Sequence, residues 1–543
     1  MEVTQRRNIV GNIENLKQTS KANGSANGQV NNRDRLHPDR KLNAREITSI
    51  AKRYLKILSY PIECIVCAIA IFYIVLILSP LLLVYNVLRF IEKQWVYLRS
   101  GWVAMSGQDA LWLQDTKENR LIINSAMALE CTNIEHLVDG VREIVQRCIK
   151  MKKPNGQAVF PRLNKCIQRG IFQYFLKDPD SLDIADHIYA YSGPAPKSHE
   201  EMESLISTLS AKDFTFESPP WQFIIIPKTY DRNEAIILFR LHHGMADGVS
   251  LTRFLLEQFP DKPLPENKLL KYSAVNRKWI YLNGLLAGSR ILVEKLFSTP
   301  DCSIIHGPPL KGVKKMSWSQ PISLQVIKKI KNHTGTTVND IMMACVSMSF
   351  HDYFRAHGVS NPPDVTITVP VDVRPKGQPL ELENNFAVVT LKLPVSEEGA
   401  LENLYATKRH MDEIKHSGEA FVLAIAGNLT VEYIPEFLTK LWNVPIANKH
   451  SFVMSNVPGS QEQFSICGHK VTQIFFAPPQ RNLVGIGVGI YSYAGEFSIG
   501  VQSDLNCMTD PKWIVKAFES RLAQLEKCIV SSTGQIEFDS GIE

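Results

Sequence analysis

The chain lacks the residue patterns of several common protein classes. Its ten cysteines are scattered over 543 residues, and the one Cys-x-x-Cys pattern, from Cys64 to Cys67, has no second pair at metal-site spacing. Neither a secreted disulfide framework nor a cysteine-rich metal site is expected. A Gly-x-Ser-x-Gly sequence is absent as well, so the common serine-nucleophile pattern of hydrolases is missing.

Basic charge is concentrated at the N-terminal end. The net charge is +6, and residues 1–56 alone hold twelve Lys or Arg against five Asp or Glu. Because the rest of the chain is close to neutral, a nucleic-acid-binding surface on the folded part is not expected. Residues 1–55 are rich in Asn, Gly, Lys and Ser, and we predict a disordered basic tail there.

A long uncharged segment follows this tail. Residues 64–88, CIVCAIAIFYIVLILSPLLLVYNVL, contain no charged side chain, and as a helix they would be about 37 Å long, enough to cross a bilayer. We predict a membrane anchor at 56–92. Pro80 leaves two forms open, one kinked spanning helix or a hairpin that enters and leaves on the same side. Flanking Lys and Arg favour a cytosolic N-terminus, so a single span places the body in the lumen and a hairpin places it in the cytosol.

A mixed α/β pattern with two comparable halves begins near residue 103. Short apolar runs such as WQFIIIP and EAIILFRL indicate buried strands. After Gly248, apolar residues recur at helical spacing until Pro260. Helix 337–357 is predicted to begin with Thr337 and Asp340 as a cap pair. The predicted divisions are an N-terminal subdomain at 103–262, a connector at 263–310, a C-terminal subdomain at 311–530 and a tail at 531–543.

Two adjacent histidines follow an apolar strand. His242 and His243 stand shortly before Asp247 and Gly248 in the sequence HHGMADG. Histidine is the side chain most readily used to accept and return a proton near neutral pH. Structural histidines and a metal site are the alternatives, but no further His or Cys cluster at ligand spacing supports a metal.

HHGMADG resembles the active-site motif of the wax ester synthase/acyl-CoA:diacylglycerol acyltransferase family, which is related to chloramphenicol acetyltransferase and to peptide-synthetase condensation domains. Further segments resemble that family in the same order along the chain. Pro220 stands where the family's Pro-Leu-Trp motif has Leu, and Ser460 replaces the last proline of Ser-Asn-Val-Pro-Gly-Pro. The segments are MSGQDALWLQD (105–115), PPWQFII (219–225), TVNDIMMA (337–344), VPVDVR (369–374) and MSNVPGS (454–460).

The resemblance implies a role for each residue of the motif. His243 would be the general base that takes the proton of an alcohol as its oxygen attacks an acyl-CoA thioester. His242 would support it, Asp247 would shape the loop, and Gly248 would allow a tight turn. In related folds this aspartate pairs with an arginine, and Arg374 is the expected partner here.

Five further residues are expected to shape the site. The resemblance favours such a role for Asn339 and Asp340, which could equally be helix-start residues. Ser455 and Asn456 end a predicted strand and could place a donor near the substrate, or form only a turn. Trp221 belongs to the segment that resembles the Pro-Leu-Trp motif.

Three glycines alternate with apolar residues in VGIGVGIYS. Gly485, Gly487 and Gly489 leave one face of the predicted strand without side chains. Such a face lets a ligand or another backbone approach closely. A slot for a long acyl chain and tight packing of the two halves are the two alternatives.

Together these features predict an α/β (α+β) fold of two chloramphenicol-acetyltransferase-like subdomains with mixed sheets and a channel between them, preceded by the membrane segment. The resemblance implies acyl-CoA as co-substrate, no bound cofactor or metal, and a long-chain alcohol or diacylglycerol as acceptor. A lipid bilayer is the expected partner. We expect the endoplasmic reticulum membrane, with the plasma membrane or lipid droplets as alternatives.

Other functions stay open from the sequence alone. The chain could be an inactive lipid-binding or scaffold relative, or it could acylate a sterol, a short alcohol or an amine. An inactive copy has no chemical reason to keep HHGMADG. Asn332 and Asn428 lie in glycosylation sequons, so a glycosidase-sensitive mass shift would place the body in the lumen.

Overall fold

A computed structural model describes most of the chain. By internal contacts the chain divides into two units, the first ending at Ile62 and the second beginning at Glu63. The described residues of the first unit, 44–62, are helical. The predicted tail lies outside the described residues up to position 43. The described residues are 44–230, 234–265, 277–375 and 377–539.

The helices predicted near residues 133–149, after Gly248 and at 337–357 are confirmed. Thr337 and Asp340 form the capping box at the start of the third of these helices. The helices of the described residues are α1 Ala44–Ser100, α2 Gly107–Leu111, α3 Ile134–Lys150, α4 Ile184–His187, α5 His199–Ser210, α6 Gly248–Gln258, α7 Arg277–Phe297, α8 Leu324–Thr334, α9 Val338–Ala356, α10 Ala400–Ser417, α11 Glu419–Tyr433, α12 Glu436–Ala447 and α13 Lys512–Asp539.

The apolar runs WQFIIIP and EAIILFRL are strands, as predicted, but other strands were not predicted from the sequence, among them the long strands Ile122–Glu130 and His469–Ala477. The strands of the described residues are β1 Val103–Ala104, β2 Ile122–Glu130, β3 Cys166–Arg169, β4 Tyr174–Lys177, β5 Ile188–Ala190, β6 Trp221–Lys228, β7 Glu234–His242, β8 Lys314–Trp318, β9 Ile322–Ser323, β10 Val365–Asp372, β11 Phe386–Leu393, β12 Phe452–Pro458, β13 Ser465–Ile466, β14 His469–Ala477, β15 Ile486–Tyr493 and β16 Glu496–Asp504.

Two large mixed sheets form the body, as predicted. One has the strand order β13-β14-β2-β7-β6-β5, and the other has the order β11-β10-β12-β15-β16-β8, with β9 paired to β16. A small sheet has the order β1-β4-β3. Apolar side chains of each large sheet and its helices form separate buried clusters, so each sheet has its own hydrophobic core.

Two strands of the second half, β13 and β14, extend the sheet of the first half. β14 pairs antiparallel with β2, with Phe475 opposite Ala126 and Ala477 opposite Asn124. β2 in turn pairs with β7, the strand that ends at His242. The exchange fixes the two halves to each other, although their exact boundaries stay a prediction.

The apolar N-terminal segment is a continuous helix. α1 runs through Pro80 without reversing direction, so the structure does not contain the hairpin alternative. Proline cannot donate to the carbonyl four residues earlier, but the Ser79 hydroxyl donates to Leu76 O at 2.7 Å and replaces that hydrogen bond. Residues 59–100 are long and apolar enough to cross a membrane by length and composition.

Candidate active site

The HHGMADG loop joins the end of β7 to the start of α6 and is buried. His243 is 7% exposed, and Asp247 is 3% exposed. The backbone N–H of His243 donates to Leu121 O at 2.7 Å, and the N–H of Met245 donates to His242 O at 2.9 Å. Backbone hydrogen bonds therefore hold the loop, and its polar side chains bind partners outside it.

The hydrogen bonds of Asn384 determine the tautomer of His243. The Asn384 Nδ2 group donates to His243 O at 2.7 Å and to Asp109 Oδ1 at 2.9 Å. Its Oδ1 lies 3.0 Å from His243 Nδ1 and can only accept. His243 must therefore carry its proton on Nδ1, which leaves Nε2 with the lone pair that a general base needs.

The ion pair of Asp109 and Arg162 holds Asn384 in this position. Asp109 accepts two hydrogen bonds from Arg162, at 2.9 Å and 2.6 Å, and Arg162 also donates to Met245 O at 2.9 Å. A bidentate pair of this kind has little freedom to rotate. The chain of contacts from Arg162 through Asp109 and Asn384 thus fixes the His243 ring.

Stacking and burial keep His243 neutral. The Trp112 ring stacks on the imidazole with centroids 4.0 Å apart and an interplanar angle of 15°. Burial lowers the pKa of His243 from 6.5 to about 4, although the Asp247 carboxylate acts in the opposite direction. His243 is therefore a free base at neutral pH.

The contacts of His242 differ from those of His243. Its Nδ1 accepts from the Gly244 N–H at 3.2 Å, and its Nε2 lies 3.1 Å from Asp115 Oδ2. Both ring nitrogens are thus occupied by the protein. These contacts suit the supporting role expected for His242, which stays a prediction.

Asp247 caps α6 and binds Arg374. Its Oδ1 accepts from the backbone N–H groups of Val249 and Ser250, at 3.1 Å and 2.9 Å. Its Oδ2 accepts from Arg374 Nη2 at 2.6 Å and from the Asn385 N–H at 2.9 Å. With both oxygens bound, Asp247 is a loop-shaping group and is not available to transfer a proton.

The expected tight turn at Gly248 is wrong. Gly248 is the first residue of α6 and does not have a positive φ. A Cβ added there would meet no heavy atom within 4 Å. Gly248 lines the cavity described below, so its lack of a side chain leaves space in the cavity and does not serve the backbone.

The Asn-Asp pair of α9 divides into a structural and a cavity-facing residue. Asp340 is fully buried in the capping box, with Lys415 Nζ 3.4 Å from its carboxylate. Asn339 lines the cavity, and its Oδ1 accepts from Asn456 Nδ2 at 2.6 Å. Ser455 and Asn456 line the same cavity, so β12 brings polar side chains to it.

Trp221 and the three glycines do not line the cavity. Trp221 is fully buried in the core, and its Nε1 donates to Leu163 O at 2.9 Å. A Cβ on Gly489 would lie 2.4 Å from Phe476 O, and one on Gly487 would lie 2.4 Å from Pro478 O. A Cβ on Gly485 would meet Cys507 Sγ. Gly487 and Gly489 thus pack against β14 and the residue after it, and Gly485 packs against Cys507. This favours the tight-packing alternative over an acyl slot.

A cavity of about 2480 Å³ opens onto His243. Its wall is mostly apolar and is contributed by α1, α7, β10, β11, α11 and α12. Ligand cavities usually have volumes of about 300–1000 Å³, so this cavity is large for a small-molecule site. The polar or charged side chains of the wall include Arg253, Lys328, Asn339, Lys415, Ser455, Asn456 and Arg481.

Arg481 also lines the cavity, and sequence analysis did not single it out. Its guanidinium lies 5.8 Å from the Trp112 ring centroid, and Nη2 donates to Gln114 Oε1 at 2.6 Å. Its Nε is buried and has no hydrogen-bond partner among the described residues. Burial lowers the pKa of Arg481 to about 10, so a cation is held close to the stacked Trp112 and His243 rings.

The fold and the site together define an acyltransferase of the chloramphenicol-acetyltransferase type. Residues 105–278 match the wax ester synthase/diacylglycerol acyltransferase catalytic domain, and residues 382–526 match the WS/DGAT C-terminal domain. The chain belongs to the wax ester synthase/diacylglycerol acyltransferase family. It is an acyl-CoA-dependent O-acyltransferase of this type.

Curated relatives and solved structures agree with the family. The chain is 23% identical over 379 residues to a probable diacylglycerol O-acyltransferase of Mycobacterium tuberculosis, covering 65% of this chain and 81% of that one. It is 22% identical over 378 residues to wax ester synthase/diacylglycerol acyltransferase 2 of Arabidopsis thaliana, covering 61% and 78%. The wax ester synthase/diacylglycerol acyltransferase structure from Marinobacter aquaeolei VT8 aligns with a TM-score of 0.56 at 17% identity, over 79% of this chain and all of that one.

Proposed function

We propose that this enzyme makes neutral lipid esters by transferring a long-chain acyl group from acyl-CoA to a lipid hydroxyl. The acceptor is a long-chain alcohol, which gives a wax ester, or diacylglycerol, which gives triacylglycerol. The observation that carries the proposal is the free Nε2 of His243 at the wall of a large apolar cavity. The names of the M. tuberculosis and A. thaliana relatives support the same two acceptors.

His243 acts as the general base in this proposal. As the acceptor oxygen attacks the thioester carbonyl carbon, Nε2 takes the hydroxyl proton and a C–O bond forms. Collapse of the tetrahedral intermediate breaks the C–S bond, and the proton passes to the departing CoA thiolate. A thioester is reactive enough that a base and stabilisation of the oxyanion suffice.

The remaining site residues position the base and shape the cavity. Asn384, Asp109 and Trp112 hold the imidazole, while the buried pair of Asp247 and Arg374 joins the loop to the segment after β10. Asn339, Ser455 and Asn456 offer polar groups to a substrate on an otherwise apolar wall. The Arg481 guanidinium supplies positive charge near His243, where the oxyanion develops.

Membrane association fits such substrates, because long-chain alcohols and diacylglycerol dissolve in lipid and not in water. α1 is the candidate anchor, and the endoplasmic reticulum is the proposed location. Asn332 is exposed on α8, so its sequon reports the side of the membrane on which the body lies. Acyl-CoA in the cytosol requires that Asn332 and Asn428 stay unglycosylated.

The test is an ester-synthesis assay on membranes that contain the full chain. Labelled long-chain acyl-CoA is supplied with a fatty alcohol, with diacylglycerol, or with both in competition. Labelled ester that depends on the protein supports the proposal, and the preferred acceptor defines the activity. If neither acceptor is esterified but a sterol, short alcohol or amine is, the proposed acceptor class is wrong. If thiol release never exceeds the background of membranes without the protein, acyl transfer itself is absent.

A further inference from the structure

One stripe of α1 faces the body along more than thirty residues. From residue 63 to residue 96, the partly or fully buried positions recur every three or four residues, as expected for one face of a helix. Between Ile71 and Leu78 the stripe is interrupted, and there the helix passes over the cavity and lines it with Ile74 and Val75. The buried or half-buried positions are Glu63, Cys64, Cys67, Ile71, Leu78, Leu82, Tyr85, Asn86, Arg89, Glu92 and Val96.

Polar contacts hold α1 to the body at the N-terminal end of this stripe. Glu63 forms an ion pair with Arg290 of α7 at 2.8 Å. The hydroxyl of Ser289, the residue before Arg290, donates to Cys64 O at 3.0 Å. The start of the apolar segment is thus tied to α7.

A second set of polar contacts holds the other end of the stripe. The Tyr85 hydroxyl donates to Phe172 O at 3.1 Å. Arg89 forms an ion pair with Glu432 at 3.2 Å, and the Glu92 carboxylate accepts from the Phe172 N–H at 3.1 Å. This end is tied to the loop between β3 and β4 and to the last turn of α11.

These two sets of contacts exclude a perpendicular crossing of the bilayer. Cys64 and Tyr85 are about 32 Å apart along a helix, which is the thickness of the hydrocarbon layer. If α1 crossed that layer, Arg290 and Glu432 would have to lie on opposite sides of the membrane with the body between them. A charged body of this kind cannot occupy the hydrocarbon layer.

We infer that residues 63–96 of α1 lie in the plane of one leaflet, docked on the body over the mouth of the cavity, with their outer face in lipid. The outer face is apolar along its length, and Ile77 at its centre is 74% exposed. A helix with one face on a protein and the other in the acyl layer is an interfacial anchor, not a spanning one. This inference rests on the proposed function only for the identity of the substrate that enters the cavity.

Neighbouring helices extend the same apolar surface. Leu285 of α7 is 78% exposed and lies one turn from the residues that bind Glu63 and Cys64. Leu429 of α11 lies one turn from Glu432, and it is also exposed. We define the lipid-facing surface as Phe72, Ile77, Leu83, Leu285, Leu286, Leu429, Phe437 and Leu441, all of them exposed apolar side chains.

Charge complementarity identifies the occupant as a phospholipid leaflet. Six Lys or Arg in residues 37–56 precede the apolar segment, and Lys93 and Arg99 follow it. Cations at both ends of an apolar helix suit anionic lipid headgroups. Each Lys or Arg near such a surface contributes about 1 kcal/mol to membrane binding. The Arg99 guanidinium also lies 5.2 Å from the Trp95 ring, and aromatic side chains prefer this interfacial level.

The docked position gives the acceptor a route that avoids water. Residues 66–82 of α1 line the cavity with their inner side while their outer side faces lipid. A lipid alcohol could therefore move laterally from the leaflet past α1 into the cavity. Acyl-CoA, which is water-soluble, does not need this route.

Depth measurements distinguish an in-plane helix from a crossing one. The full chain is reconstituted in vesicles of phosphatidylcholine and phosphatidylserine, with a fluorescent amino acid at Ile65, Ile77 or Leu88. Quenching by lipids brominated at known depths locates each probe. Equal, shallow depths at the three positions support the inference. A probe at Ile77 that lies about 15 Å deeper than the other two, half of a hydrocarbon layer, overturns the inference. Both a spanning helix and a hairpin would give that result.

A charge variant tests the lipid route separately from the chemistry. The triple variant Phe72→Glu, Ile77→Glu, Leu83→Glu is compared with Val313→Glu, an exposed apolar position outside the lipid-facing surface. We expect the triple variant to leave vesicles and lose at least tenfold in rate on vesicle-dissolved diacylglycerol, but to keep its rate on a water-soluble short alcohol. An unchanged rate on diacylglycerol overturns the lipid route. A stable oligomer of the wild type that buries this surface without vesicles overturns the leaflet as its occupant.

If wild type esterifies neither acceptor, the proposed function fails while the depth measurement still stands. The two hypotheses are therefore tested independently.

Discussion

The Nδ1 atom of His243 lies 3.0 Å from Oδ1 of Asn384, whose amide nitrogen is committed to Asp109 and to the His243 carbonyl. This geometry admits only the tautomer with a free Nε2. Replacing Asn384 with Leu removes the acceptor and lets either tautomer form. We expect kcat to fall by about ten- to a hundredfold with little change in KM, because a base in the wrong tautomer is inactive.

The neighbouring residue offers a matched control for that variant. Asn385 contacts Asp247 through its backbone N–H, so Asn385→Leu changes a side chain of the same size in the same segment. Steady-state rates of both variants with saturating acyl-CoA make the comparison. Equal losses of kcat in the two variants would show that the segment matters only for folding.

Part of this site could be predicted from the sequence and part could not. His243, His242 and Asp247 are contiguous, and a motif displays them at once. Asp109 and Trp112 also lie in a segment that resembles the family, MSGQDALWLQD, but nothing in that string shows which residues turn toward His243. Asn384 stands in an irregular segment 141 residues after His243, and only the tertiary fold brings the two together.

The fold shows the same division. β7 and β15 are continuous apolar runs, and their strand character is visible locally. β14 reads HKVTQIFFA, with polar residues in its first half, and its partner β2 is more than three hundred residues earlier. Local periodicity cannot reveal such a pairing. The glycines of β15 predicted that a ligand or another backbone comes close to this strand. The sequence did not show that this neighbour is the backbone of β14.

The pH dependence of the reaction follows from the burial of His243. Its pKa is lowered from 6.5 to about 4, so the base is neutral at every pH well above that value. Activity is lost as the pH falls through the folded-state pKa, because protonation occupies Nε2. We expect kcat/KM to be flat from about pH 6 to pH 8 and to decline only near pH 4. A profile measured by thiol release with an acidic limb near pH 6.5 would contradict the buried, neutral base.

The ion pair of Asp247 and Arg374 is expected to stabilise the fold around the HHGMADG loop. Their side chains are only 4% and 6% exposed. Arg374→Met leaves the buried Asp247 carboxylate without this cation, whereas Asp247→Leu leaves Arg374 paired with Asp372 at 3.1 Å and with Glu383 at 3.6 Å. Arg374→Met should reduce the free energy of unfolding by about 3–5 kcal/mol, and Asp247→Leu should reduce it by less, because Arg374 keeps two carboxylate partners. The double variant should recover part of that loss. Thermal unfolding of the three variants measures this, and additive losses in the double variant would mean that the pair is not coupled.

Two glycines of this chain have opposite requirements. Gly489→Ala places a methyl group 2.4 Å from Phe476 O, so β15 and β14 must separate, and we expect a loss of about 1–3 kcal/mol in stability. Gly248→Ala meets no atom within 4 Å and should fold like the wild type. Because Gly248 lines the cavity, its effect should appear in acyl-chain preference. Equal melting temperatures for the two variants would contradict the packing of β14 on the glycine face.

The central claim is that His243, and not its neighbour, is the base. The most direct test compares ester formation by wild type, His243→Ala and His242→Gln under the same conditions. We predict a fall of about a hundredfold or more for His243→Ala, the scale of a lost general base, measured at a temperature where the variant is folded. His242→Gln should lose stability before it loses rate, since its contacts to Asp115 and Gly244 are structural. Retained activity in His243→Ala, or an equal fall in both variants, would contradict the account.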